Sequence, residues 1–218
     1  IATRMSTPVS RNHSGKLLIS KFFKLLICGS ISRGMKIFDD PLDPNVVQNL
    51  RAGNVGVLRT DTLYGLVCLA NNQAAVERVF AIKGRDETKS PIILIGDSVQ
   101  LFDTPSEKEQ AVLQRVWPGK TSVILNSKKA PAWIERDNGS VAYRLPDSPL
   151  LQKLLKSTGP LIAPSANPQG DPPAQNIQQA VAYFGDTVDF YIDEGEVVNT
   201  KPSELIRVHE DGRLEQLR

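Results

Sequence analysis

Histidine is nearly absent from this chain. Its 218 residues contain two, His13 and His209, which leaves almost no material for a Ser-His-Asp triad or a His-rich metal site. Cysteine is as scarce: Cys28 and Cys68 are far apart and form no C-x-x-C pair. Neither a disulfide framework nor a zinc knuckle is indicated, and a reducing compartment fits best. No apolar run approaches the roughly 20 residues that cross a bilayer, so the sequence reads as a soluble protein without a membrane partner. No G-x-G-x-x-G opens a helix, which removes support for a Rossmann dinucleotide site. Pro118-Gly119-Lys120-Thr121-Ser122 imitates a phosphate-binding P-loop. That motif, however, needs a glycine where Gln114 stands and a strand, not a helix, ahead of it.

Acidic residues are missing from one stretch. Residues 1–34 carry Arg4, Arg11, Lys16, Lys21, Lys24 and Arg33, with six serines and no Asp or Glu. The remainder holds 20 basic and 24 acidic side chains, a balance of −4 within a total of +2. With its apolar patches Leu17–Ile19 and Phe22–Cys28, the tail has the make-up of an organelle transit sequence. The alternative is a disordered or upstream-derived extension, with Met35 as the start. A chain of this length buries one sizeable core and has little room for a second. We therefore expect a basic tail at 1–34 outside the fold and one domain at 35–218.

From Met35 onward, helix and strand signals alternate. Asp43-Pro44 supplies an N-cap and a first-turn proline for a helix closed by Gly53, and Val55–Arg59 reads as a strand. Further helices are expected over Ala74–Ile82 up to Gly84, from Ser106 with Glu109 at capping-box spacing to Trp117-Pro118-Gly119, from Ser148-Pro149 to about Lys156, and over Ile177–Phe184. Strands are expected at Ile92–Ile95, Val123–Leu125, Val141–Arg144, Leu161–Ala163, Val188–Ile192, Leu205–Val208 and Arg213–Leu217. This alternation argues for a mixed α/β domain with a twisted sheet. It gives no strand order.

What is present is a cluster of cations. Lys83, Arg85 and Lys89 follow the second helix, between Thr60–Gly65 upstream and Ala163–Asn167 downstream. Guanidinium and ammonium groups at such a junction suit a polyphosphate, arginine as a planar fork and lysine as a mobile point charge. Taken singly, each has a plainer reading: Lys83 as a helix C-terminal dipole partner, Thr62 as a strand residue, Tyr64 as core, Ser165 and Asn167 as a turn.

Together the segments resemble a known family. Arg59-Thr60-Asp61-Thr62-Leu63-Tyr64-Gly65-Leu66 is similar to a P-T-[DE]-T-V-Y-G-L signature, and Lys83-Gly84-Arg85 to K-x-R. Trp117-Pro118-Gly119 matches W-P-G, and Val141–Pro146 resembles V-A-x-R-x-P. Pro164-Ser165-Ala166-Asn167 carries S-A-N, and Pro202-Ser203-Glu204-Leu205 resembles P-S-E-I. These are the motifs of the YrdC-like threonylcarbamoyl-AMP synthases, matched in order over about residues 45–208.

The resemblance implies a single YrdC-like α/β domain with a twisted mixed sheet and flanking helices, in the short form without the additional C-terminal domain. It implies an enzyme, a nucleotidyltransferase that joins L-threonine, bicarbonate or CO2, and ATP into threonylcarbamoyl-AMP and pyrophosphate. The adenylate would serve a partner transferase that builds N6-threonylcarbamoyladenosine beside the tRNA anticodon; a weak tRNA contact is left open. Mg2+ is expected with ATP, bridging phosphate oxygens without a dedicated carboxylate cage, and no metal-binding residue is assigned. By matching position, Lys83 and Arg85 are the catalytic candidates. Arg85, Lys89, Ser140, Ser165 and Asn167 fall on the ATP side, and Thr62, Tyr64, Arg144, Ala163 and Ser203 on the threonine side, with Ala163 acting through its backbone and Arg144 meeting a carboxylate.

Five positions depart from the pattern: Arg59 and Ser90 replace prolines, Lys120 and Ser122 replace Pro and Thr, and Leu94 stands where some members have a histidine. A cytoplasmic location is expected, or mitochondrial if the tail is a native transit sequence. The rival readings are an RNA-binding module of the same fold and a carbamoyl-transfer domain. The acidic balance of 35–218 speaks against the first, and the lack of acylphosphatase and zinc-finger segments against the second.

Overall fold

Helices begin where the sequence supplies caps. In the computed structural model, which describes residues 36–84, 90–198, 201–209 and 211–218, α1 (Pro44–Arg51) starts at Asp43, whose carboxylate accepts from Asn45 N at 2.7 Å. Helix α2 (Gln73–Lys83) is capped by Asn72 and ends on Gly84 in the left-handed region, φ +59°. Helix α3 (Glu107–Val116) opens on a full Ser106/Glu109 capping box. The other helices are α4 (Ala132–Glu135), α5 (Pro149–Thr158) and α6 (Ile177–Phe184). None of the described helices is long and apolar enough to cross a membrane. The expected tail over 1–34 lies outside the described residues.

The strands are β1 (Lys36–Phe38), β2 (Gly56–Arg59), β3 (Tyr64–Leu69), β4 (Ile92–Leu94), β5 (Thr121–Asn126), β6 (Ser140–Arg144), β7 (Leu161–Ile162), β8 (Phe190–Ile192), β9 (Glu204–Val208) and β10 (Leu214–Gln216). They form one mixed sheet in the order β1-β8-β2-β3-β7-β4-β6-β5-β9-β10. The expected α/β architecture with a mixed sheet and flanking helices is thus observed. Strand β3 was not anticipated. Its residues Tyr64 to Cys68 are all buried, so the alternation that marks a half-exposed strand is lost. Strand β1 and helix α4, at three and four residues, are too short to leave a periodic signal.

Alternation along each strand divides the core in two. Val57, Tyr64, Leu66, Ile93, Val123, Val141, Tyr143 and Tyr191 pack on one face beneath α2, α3, α4 and α6. Leu58, Val67, Leu94, Leu161, Phe190 and Ile192 pack on the other beneath α1 and α5. Close approach of α5 to the sheet requires Gly96, since a Cβ there would stand 2.7 Å from the Gln152 carbonyl. The second cluster takes nothing from β5, β6 or β9. On those strands the same face is lined by Ser140, Ala142, Arg144, Ile124, Leu205 and Arg207, which border a cavity. Where α1 and α5 stop, the sheet becomes a floor.

Candidate functional site

The cavity above that floor has a volume of about 410 Å³, within the ordinary range for small-molecule sites. Thr60 shapes one wall. Its hydroxyl accepts from Thr62 N at 3.2 Å and Leu63 N at 3.1 Å while donating to the Leu63 carbonyl at 2.8 Å. This knot turns β2 into β3 and aims Thr62 inward, where its Oγ1 accepts from Arg144 Nη1 at 2.9 Å. The other terminal nitrogen of Arg144, Nη2, lies 3.2 Å from Asp61 Oδ1, with the two side chains 5% and 4% exposed. Burial pushes the guanidinium's pKa down, Asp61 holds it up and the Arg218 cation opposes it. Arg144 Nε and Asp61 Oδ1 are both buried without a hydrogen-bond partner. An unpaired buried N–H is costly unless an incoming ligand satisfies it.

A second wall follows β7. The chain from Pro164 runs antiparallel to β3, with Leu66 N donating to the Pro164 carbonyl and Ala166 N to the Tyr64 carbonyl, at 2.9 and 2.8 Å. Gly65 permits this approach, since a Cβ would meet the Pro164 carbonyl at 3.3 Å. Beneath the loop lies Lys83. Its Nζ donates to the Ser165 carbonyl at 2.6 Å and to the Asn167 carbonyl and Oδ1 at 2.9 Å each. Ser165 Oγ in turn donates to Asn167 Oδ1 at 2.7 Å. Asn167 is held further by its own amide on the Pro168 and Asp171 carbonyls.

The third wall is the segment before β9. Ser203 shares a 3.0 Å hydrogen bond with the buried Ser122. It also receives Arg218 Nε on its carbonyl at 3.0 Å and Nη2 on its hydroxyl at 3.2 Å.

Thr62, Tyr64, Ser140, Arg144, Ala163, Ser165 and Ser203 all line this one cavity. Asn167 and Lys83 stand behind it, and Arg85 and Lys89 lie outside the described residues. Leu94 is fully buried in the α1/α5 cluster and does not border the cavity, whereas Ile92 does. The Ala163 N–H is taken by the Ile92 carbonyl at 3.0 Å, so a backbone contact to a ligand would run through its carbonyl. Sequence reasoning missed Asp61 as the partner of Arg144, and Arg207 and Arg218 as lining cations. The alternation of Leu205 and Arg207 on one strand was a usable signal for Arg207. Nothing in the sequence signalled Arg218.

Behind Tyr64, whose hydroxyl donates to the Gly195 carbonyl at 2.7 Å, Glu194 is partly buried with Oε2 unpaired. Burial raises its carboxyl pKa, against the lowering effect of Arg59. A carboxyl that keeps its proton more tightly in the fold contributes stability that is present below its unfolded pKa and lost as pH rises through the folded value. Glu194→Gln should therefore raise stability at neutral pH and change it little in acid. Urea denaturation midpoints across that range will test this, and a loss of stability at pH 7 would refute it.

The family model described as telomere recombination (Sua5/YciO/YrdC) matches residues 48–218. A threonylcarbamoyl-AMP synthase of Marinobacter nauticus is 34% identical over 168 residues, covering 74% of this chain and 88% of the relative. The solved P. abyssi Sua5 complexed with L-threonine is 27% identical with a TM-score of 0.75, over 85% of this chain and 57% of that one. E. coli YciO superposes with a TM-score of 0.74 at 22% identity, covering 85% of this chain and 95% of that one, a likeness of fold. The motifs whose side chains converge on the cavity are thus spread through one continuous match, and the chain belongs to the Sua5/YciO/YrdC family.

Proposed function

We infer that this chain is a threonylcarbamoyl-AMP synthase, the activity for which its relatives of about 34% identity are named. It condenses L-threonine, bicarbonate or CO2, and ATP for tRNA threonylcarbamoyladenosine formation. The observation that carries the reading is convergence: seven residues from four separated sequence segments border one cavity, with polar groups on its walls and Ile92, Ile124 and Ala142 on its floor.

In this reading the threonine amine gives up a proton and its nitrogen adds to CO2, forming a carbamate. A carbamate oxygen then attacks the α-phosphorus, the bond from that phosphorus to the bridging oxygen breaks, and the electron pair leaves with pyrophosphate. The protein's task is to hold two anions together and to stabilise the charge that moves. Arg144, with its unpaired Nε, and the Thr62 hydroxyl are the proposed threonine contacts, with Tyr64, the Ala163 carbonyl and Ser203 completing that side. Ser140 and Ser165 face the nucleotide. Arg85 and Lys89 are carried to the phosphates by resemblance alone. Asn167 and Lys83 act by setting the Ser165 loop.

Mg2+ would enter with ATP. Among the described residues no aspartate or glutamate lines the cavity, which fits an ion held by phosphate oxygens and water. The product would pass to a transferase that acts on tRNA.

The direct test is pyrophosphate release from ATP and Mg2+, with mass detection of the adenylate. Release is expected to need threonine and bicarbonate together, because the carbamate must exist before it attacks phosphorus. Equal ATP turnover without threonine would overturn the reading.

A further inference from the structure

Three arginines border the cavity, Arg144, Arg207 and Arg218, with no acidic side chain among the described lining residues. Two of them are engaged: Arg144 with Asp61 and Thr62, and Arg218 with Ser203. Arg207 is not. Its side chain is half-buried and makes no hydrogen bond or ion pair with any described residue.

The strand fixes its direction. Ile206 and Val208 pack into the larger core, so Leu205 and Arg207 must face the cavity. Arg207 stands opposite Ile124 of β5, which stands opposite Ala142 of β6. It thus forms the end of a row of side chains that crosses the floor. Its register partner on the other side, Glu215 of β10, is turned to His209 Nε2 at 3.0 Å.

The charge balance indicates what such a group meets. Arg144 is matched by Asp61, so a monovalent carboxylate joins a pair that is already close to neutral. Arg207 and Arg218 add two positive charges that no acid among the described lining residues offsets. Such an excess favours a ligand with several negative charges. A guanidinium held partly out of water interacts more strongly with phosphate than a fully solvated one, and its planar fork suits two phosphate oxygens.

We propose that Arg207 is a further ligand-contacting residue of this site, binding the β- and γ-phosphates of ATP and the pyrophosphate they become. The proposal rests on the synthase reading given above. It assigns the phosphate chain a wall formed by β9, across the floor from the Ser165 loop.

Arg207→Gln and Arg207→Lys, compared with the unaltered chain, test it by calorimetry with inorganic pyrophosphate, ATP with Mg2+, AMP and threonine. Loss of one charge-assisted phosphate contact should weaken pyrophosphate and ATP by about ten- to a hundredfold in the glutamine variant. AMP, which lacks the two outer phosphates, and threonine should bind as before, and lysine should restore part of the loss. Pyrophosphate binding unchanged in Arg207→Gln would overturn the proposal, as would a parallel loss of threonine binding. The two readings fail separately. If the unaltered chain releases pyrophosphate only with threonine while Arg207→Gln binds pyrophosphate normally, the Arg207 assignment alone is wrong. If Arg207→Gln loses pyrophosphate binding but the unaltered chain shows no threonine-dependent turnover, the residue assignment stands and the synthase reading falls. A chain that binds neither ATP nor pyrophosphate overturns both.

Discussion

Arg144→Ala should destabilise the protein by about 3–5 kcal/mol, because it strands a buried carboxylate. Asp61, its side chain 4% exposed, would keep only one hydrogen bond, from Asp147 N at 3.3 Å. Replacing both members, as Asp61→Asn with Arg144→Met, removes the two charges together and should recover most of that stability. Threonine binding should not recover. The loss of a charge-assisted contact to its carboxylate, roughly 1.5–3 kcal/mol, corresponds to a ten- to hundredfold weaker affinity, while ATP binding stays close to that of the unaltered chain. Chemical denaturation and calorimetry on all three proteins separate the two effects. If the double variant binds threonine normally, Arg144 serves the fold alone.

Lys83→Met has the second largest expected effect. It leaves the Ser165 and Asn167 carbonyls and Asn167 Oδ1 without the ammonium that now gathers them. Each buried acceptor left unsatisfied costs about 1–3 kcal/mol. Asn167 Oδ1 keeps the Ser165 hydroxyl and the Ser165 carbonyl keeps Asn167 N at 3.0 Å, so the Asn167 carbonyl is the acceptor stranded. Stability should fall by about 1–3 kcal/mol, and ATP affinity with it, since Ser165 loses its orientation. Threonine affinity should change less. This outcome separates a positioning lysine from one that touches the reacting atoms. A direct catalytic part would show as a lower kcat at unaltered stability and ATP affinity, and that result would reject the positioning role.

The helices were legible because their ends are chemically marked. Asp43-Pro44, Ser106 with Glu109, Ser148-Pro149 and Gly84 are caps that act on the nearest few backbone groups, so sequence alone locates them. Strand β3 was illegible for the opposite reason: helices cover it on both faces, and uniform burial erases the pattern a reader looks for. Much the same divides the site. Thr62, Arg144, Ser165 and Ser203 could be picked out by motif, yet the pairing of Arg144 with Asp61 joins residues more than eighty positions apart. Which neighbour neutralises which charge depends on the strand order β2-β3-β7-β4-β6, and that order is set by packing across the whole sheet.

The hydrogen bonds from Leu66 N and Ala166 N stitch the Ser165 loop to the strand that begins at Tyr64. With Tyr64 on the threonine side and Ser165 on the ATP side, as proposed, the two ligands would not be independent guests. Ordering of either residue by its substrate would then prepare the place of the other through that stitch. By thermodynamic reciprocity, whatever factor ATP adds to the affinity for threonine, threonine must return to ATP.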